Sequence, residues 1–108
     1  MSVYKIEEIA EIVRPIAESY KVDRVCLFGS YARGDAKGDS DVDLIISAPH
    51  LKGLVFFGLY EDLREAFEKD NKQIDLITEE QLIKNKDDPL HKKFTEEVEL
   101  DRKEIYSL

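Results

Sequence analysis

Gly29-Ser30, ten intervening residues, Asp41-x-Asp43, and a third aspartate, Asp75, inside a later apolar run are residues whose types handle charge. Glycine lets backbone come close to a phosphate where a side chain would intervene. Ser30 adds a hydroxyl and a backbone N–H at the start of a short helix, where N–H groups and the helix dipole favour anions. The aspartates suit the opposite charge. Asp41 and Asp43 are two apart on an expected strand and so share a face. Asp75 joins them if its strand pairs beside theirs. Two unit charges about 4 Å apart repel by roughly 4 kcal/mol at an effective dielectric of 20. Three carboxylates gathered so closely call for a divalent cation, and all-oxygen ligands suit Mg2+ or Mn2+. A bare D-x-D is also what a half-exposed sheet turns toward water, and Gly-Ser is also an ordinary turn with a capping serine. The Gly-Ser pair standing upstream of the carboxylates favours the chemical reading.

The elements that must carry these residues follow from apolar spacing. Ile6, Ile9, Val13 and Ile16 give an amphipathic helix over roughly residues 2–20, with Pro15 set to kink or divide it. "VDRVCLFG" (22–29) reads as a buried strand ended by glycine, and "VDLIIS" (42–47) as a second. Leu54, Phe57, Leu63, Ala66 and Phe67 predict a helix from about 53 to 70, and "KQIDLIT" (72–78) a third strand. "TEEQL" opens a short helix on a threonine cap. "DDPLHKKFTEEV" predicts another, with Leu90, Phe94 and Val98 on one face. The tail "LDRKEIYSL" is either fraying helix or a short final strand. The order is α-β-(short α)-β-α-β-α, an α/β or α+β layer fold with a small sheet flanked by helices.

Length and charge narrow the class. The 108 residues are expected to form one domain, residues 1–108, with 43% hydrophobic and 37% charged side chains. The net charge of −8 argues against binding nucleic acid directly through phosphate attraction, and suits bound cations or a more basic partner protein. A single cysteine, Cys26, lies in an apolar run and reads as core, which excludes a disulfide framework. "MSVYKIEEIAEIV" lacks the pattern of a signal peptide and no apolar stretch is long enough to span a membrane, so a soluble cytoplasmic protein is expected. His50 and His91 are too few and too separated for a zinc site.

Two familiar motifs fail on their working residues. "GSYARGD" starts like a Walker loop, but Asp35 and Ala36 stand where Lys and Ser or Thr are needed. "DSDVD" starts like an EF-hand, but Leu44 replaces the required glycine and His50 the bidentate glutamate. The arrangement G-S, spacer, D-x-D and distal acid resembles the DNA polymerase β-type nucleotidyltransferase superfamily. Within it, "GSYARGDAKGDSDVDLII" is most similar to the minimal nucleotidyltransferases, the antitoxin half of HEPN–nucleotidyltransferase modules. The resemblance runs from the first helix to at least Thr78.

That resemblance implies a polymerase β-like core and a set of roles. Gly29 and Ser30 would grip the triphosphate of ATP. Asp41 and Asp43 would hold two Mg2+ ions, with Asp75 completing the second site and accepting the proton of the attacking hydroxyl. Arg33, one helical turn after Ser30, either reaches the same anion or pairs with Asp35 or Asp39. Ser40 orients Asp41 or contacts phosphate. Tyr31 packs beneath the loop, and Lys37 lies solvated in the turn. With no acceptor-binding domain, the expected acceptor is a cognate HEPN RNase toxin, held in a hetero-oligomer and silenced by AMP placed singly or in short chains on a tyrosine. The alternatives are a noncatalytic antitoxin acting by complex formation, and a nucleotidyltransferase whose RNA or small-molecule acceptor is held by a separate subunit.

Overall fold

In a computed structural model, residues 3–108 are described; residue 2, where the first helix was expected to begin, lies outside them. The order is α1 (Ile6–Ser19), β1 (Arg24–Phe28), α2 (Gly29–Arg33), β2 (Val42–Ser47), α3 (Gly53–Glu68), β3 (Ile74–Thr78), α4 (Glu79–Asn85), α5 (Lys92–Asp101) and β4 (Lys103–Ser107). Helix α1 starts at Ile6 because Glu8 reaches back to accept the Lys5 backbone N–H at 2.8 Å. Pro15 does not divide it. The proline sits on the exposed face, where water can take the carbonyl it leaves unbonded.

The four strands form one mixed sheet in the order β3-β2-β1-β4. β1 is antiparallel to β2 and β4, while β2 and β3 are parallel and joined through α3. Alternate strand residues serve opposite faces. Val25, Leu27, Val42, Leu44 and Ile46 pack into the larger core with Ile9 and Val13 of α1 and Leu59, Leu63 and Phe67 of α3. Cys26, Phe28 and Ile45 face the other way, beneath Leu82 of α4 and Val98 of α5. This second layer is thin, and it leaves room on that face.

Two expectations change, and an open one closes. The stripe that α3 buries is Leu59, Leu63 and Phe67, spaced by four, so Leu54 (88% exposed) and Phe57 (55%) lie off it. Leu90 precedes α5 instead of lying on its face, and is 90% exposed. The tail is a strand, because β1 needs a partner on the side away from β2 and β4 supplies it. Among the described residues no helix is long and apolar enough to cross a membrane.

Candidate active site

The site sits on the α4/α5 face of the sheet, at the end of β1 and the starts of β2 and β3. Phe28, Asp43 and Asp75 are in register across three adjacent strands. Asp43 is flanked by Phe28 on one side and Asp75 on the other, each about 5 Å away through the backbone ladder. Asp41 precedes β2 on the side-chain parity of Asp43. Parallel pairing of β2 with β3 is therefore what places the third carboxylate beside the second.

Gly29 closes the other side of Asp43. Its φ is +73°, and a Cβ built on it would lie 2.1 Å from Asp43 Oδ2. No side chain fits there while Asp43 keeps this position. The turn that carries Gly29 runs directly into α2, so Ser30 stands in the first turn, and its hydroxyl has no hydrogen-bond partner among the described residues. Tyr31 is buried beneath the loop. Arg33 ends α2 and donates to Asp101 Oδ2 of α5 at 2.8 Å and to Asp35 Oδ2 at 3.2 Å. Asp35 was an expected partner and Asp39 was the other. Asp101, 68 residues away, had no local signal. The Ser40 hydroxyl accepts the Lys37 backbone N–H at 2.8 Å, so here it closes the 37–40 turn. Lys72, buried at 4% exposure, donates its Nζ to the Gly38 carbonyl and ties that loop to the start of β3.

A cleft of about 250 Å³ opens over Asp43 and Asp75, with Asp41, Ser30 and Ser40 outside its lining. Gly29, Arg33, Asp43 and Asp75 line it from the sheet side, and Phe94, Glu97 and Asp101 from α5. A larger cavity of about 690 Å³, between α4 and α5, contains none of the three aspartates and has Leu82, Ile83 and Leu100 in its wall. Glu97 and Asp101 were not anticipated as site residues, and Phe94 was placed only on one helix face with Leu90 and Val98. Their common signal is a helical repeat of three and four, Phe94 to Glu97 to Asp101, which the sequence shows but cannot aim.

Burial, then the charges of Asp75 and Asp41, push the Asp43 carboxyl up to about 6, against a smaller opposing pull from Arg33. Its charged form is thus poorly solvated and repelled by two neighbours. A divalent cation relieves both penalties, and an all-carboxylate set is the donor chemistry of Mg2+ or Mn2+. The residues fit such an ion. Among the described residues no three acidic, histidine or cysteine groups close into a cage unaided. That openness suits Mg2+, which is usually held by one or two carboxylates with waters and substrate phosphates.

A pH dependence follows. Folded Asp43 holds its proton more tightly than the unfolded chain does, so ionising it costs stability. The cost is absent below about pH 4 and complete above about pH 6. In EDTA, the Tm of Asp43→Asn should rise relative to the native chain as pH goes from 4 to 7, and Mg2+ should shrink the gap. A constant Tm difference across that range would refute the carboxylate crowding.

A family model described as the nucleotidyltransferase domain matches residues 6–103. Among curated relatives, "Putative protein adenylyltransferase MJ1215" of Methanocaldococcus jannaschii is 38% identical over 77 residues, covering 68% of this chain and 87% of the relative. Protein adenylyltransferase MntA of Thermococcus cleftensis is 36% identical over 70 residues, covering 61% and 71%. A solved toxin–antitoxin structure with AMP-PNP aligns at a TM-score of 0.63 and 20% identity, over 92% of this chain and 73% of that one. This last likeness is one of fold.

Proposed function

The chain belongs to the nucleotidyltransferase domain family, and from that footing we propose that it is the adenylyltransferase antitoxin of a toxin–antitoxin pair. It would move AMP from ATP onto a tyrosine of a HEPN-type RNase toxin. The observation that carries the reading is that Asp43 and Asp75 stand in register while Gly29 closes tightly on the Asp43 carboxylate. The relatives named as protein adenylyltransferases and the toxin–antitoxin fold neighbour support the acceptor class.

Asp41, Asp43 and Asp75 would hold Mg2+, which when bound makes the attacking hydroxyl more acidic and offsets charge on the leaving phosphates. Gly29 gives the triphosphate a close backbone approach, and the Ser30 hydroxyl donates to a phosphate oxygen. Arg33 turns its guanidinium from Asp35 toward the same anion while Asp101 keeps hold of it. The acceptor oxygen forms a bond to the α-phosphorus, the bond from that phosphorus to the bridging oxygen breaks, and pyrophosphate leaves. Asp75, at the open edge strand, takes the hydroxyl proton. Ser40 keeps the turn before Asp41 closed and so holds the start of β2 in place.

The test mixes the purified chain, ATP and Mg2+ with the product of the neighbouring gene and reads the partner's mass. The expected result is a gain of one or a few adenylyl groups on a tyrosine. An unchanged partner mass, or label moving to RNA or a small molecule instead, would refute the protein-acceptor reading.

A further inference from the structure

Phe94 is a large aromatic side chain left 46% exposed at the mouth of the carboxylate cleft. An exposed phenylalanine that merely continued the core would bury its open part further. Here the ring is fixed instead by an edge-to-face contact with buried Phe28, centroids 6.2 Å apart and planes at 86°. Phe28 immediately precedes Gly29, so the backbone that would meet phosphate also sets the tilt of this ring. The helix adds order: Phe94 lies one turn from Val98, which is buried, and two from Asp101, which grips Arg33.

We infer that Phe94 is the stacking platform for the nucleobase of the bound nucleotide, an inference that rests on the nucleotidyltransferase reading above. Strand order decides between the base and the acceptor's own ring. Asp75, the proton acceptor, is on the edge strand β3, whereas Phe28 is two strands away on β1. Phe94 therefore belongs to the side of Gly29 and Arg33, where the nucleotide's phosphates are gripped, and the acceptor enters from the opposite side. The cleft volume agrees. At about 250 Å³ it falls below the roughly 300–1,000 Å³ of pockets that enclose whole drug-sized ligands, which suits one ring held against one wall. Stacking on a phenyl face is tolerant of base identity, because every base presents a π-face.

The sequence offers a direct reporter, since it contains no tryptophan. Phe94→Trp creates a sole indole at the platform. Its fluorescence should be quenched saturably by ATP with Mg2+ and left unchanged by tripolyphosphate with Mg2+. In equilibrium binding, Phe94→Ala should hold ATP about tenfold or more weaker, the range of a lost base–aromatic stack, with tripolyphosphate affinity unchanged. Retained tripolyphosphate binding also shows that the variant is folded. The inference is overturned if Phe94→Ala binds ATP as tightly as the native chain, if it loses ATP and tripolyphosphate equally, or if only the KM for the acceptor protein rises. A native chain that binds no ATP overturns the nucleotidyltransferase reading as well, so the two failures are distinct.

Discussion

Asp43→Asn should leave the chain folded and slow adenylyl transfer by about a thousandfold or more, roughly 4 kcal/mol of transition-state stabilisation. Asp43 stands at the centre of the site: Gly29 lies against it on one side, Asp75 is in register on the other, and Asp41 is two residues before it. Asparagine keeps the shape and removes the charge, so a cation loses its central ligand while the packing survives. The stability effect runs the opposite way from the activity effect. Without a cation, the native carboxylate above pH 6 is half-buried and repelled by two neighbours, and the amide is not. Above that pH the variant should therefore be at least as stable as the native chain in EDTA while being nearly inactive. Single-turnover transfer at saturating ATP and Mg2+, with Tm on the same preparations, checks both halves. A variant within tenfold of native activity would remove Asp43 from the chemistry. The double variant Asp41→Asn/Asp43→Asn then separates catalysis from binding in cells: growth rescue that persists without transfer would mean neutralisation by complex formation.

The aspartates were legible because they stand where aspartate is costly. A carboxylate inside an apolar strand run competes with the ladder and resists burial, so its presence asks for a compensating partner. Parity put Asp41 and Asp43 on one face, and β2 begins and ends where its apolar run does. Asp75 depended on which strand lies next to β2, a matter of long-range pairing that periodicity does not carry. Helix faces were harder. Leu54 and Phe57 fit a helical repeat as well as Leu59 and Phe67 do, and only the position of the sheet decides which stripe is buried. Phe94 was not assigned to the site for the same reason, since its spacing with Val98 is consistent with core or with cleft. Arg33's grip by Asp101 joins α2 directly to α5, a contact that exists only after both helices have packed. The final strand was ambiguous because its five residues include a lysine and a glutamate, and its identity comes from pairing with β1.

Gly29→Ala should combine the two losses that Asp43→Asn separates. A φ of +73° disfavours any residue with a Cβ, at a cost of about 1–2 kcal/mol. That strain alone does not single out the active site, because Gly34 has a φ of +86° and ends α2 in the same left-handed region. The difference lies in what the new methyl group meets. At Gly34 nothing stands within 4 Å of it, whereas at Gly29 it would fall 2.1 Å from Asp43 Oδ2 and 3.1 Å from its Cγ. Gly34→Ala is thus a matched control for backbone strain. It should lower Tm by several degrees, about 4–8 °C for each kcal/mol in a chain of this size, and keep transfer within a fewfold of native. Gly29→Ala should lower Tm at least as far and cut transfer by about a hundredfold or more, because the Asp43 carboxylate must leave its place against Gly29 to make room. Metal affinity read by Mn2+ binding should fall in step with transfer for Gly29→Ala and stay level for Gly34→Ala. If both alanine variants lose only stability, the close approach of Gly29 to Asp43 has no part in the chemistry, and the glycine serves the turn alone.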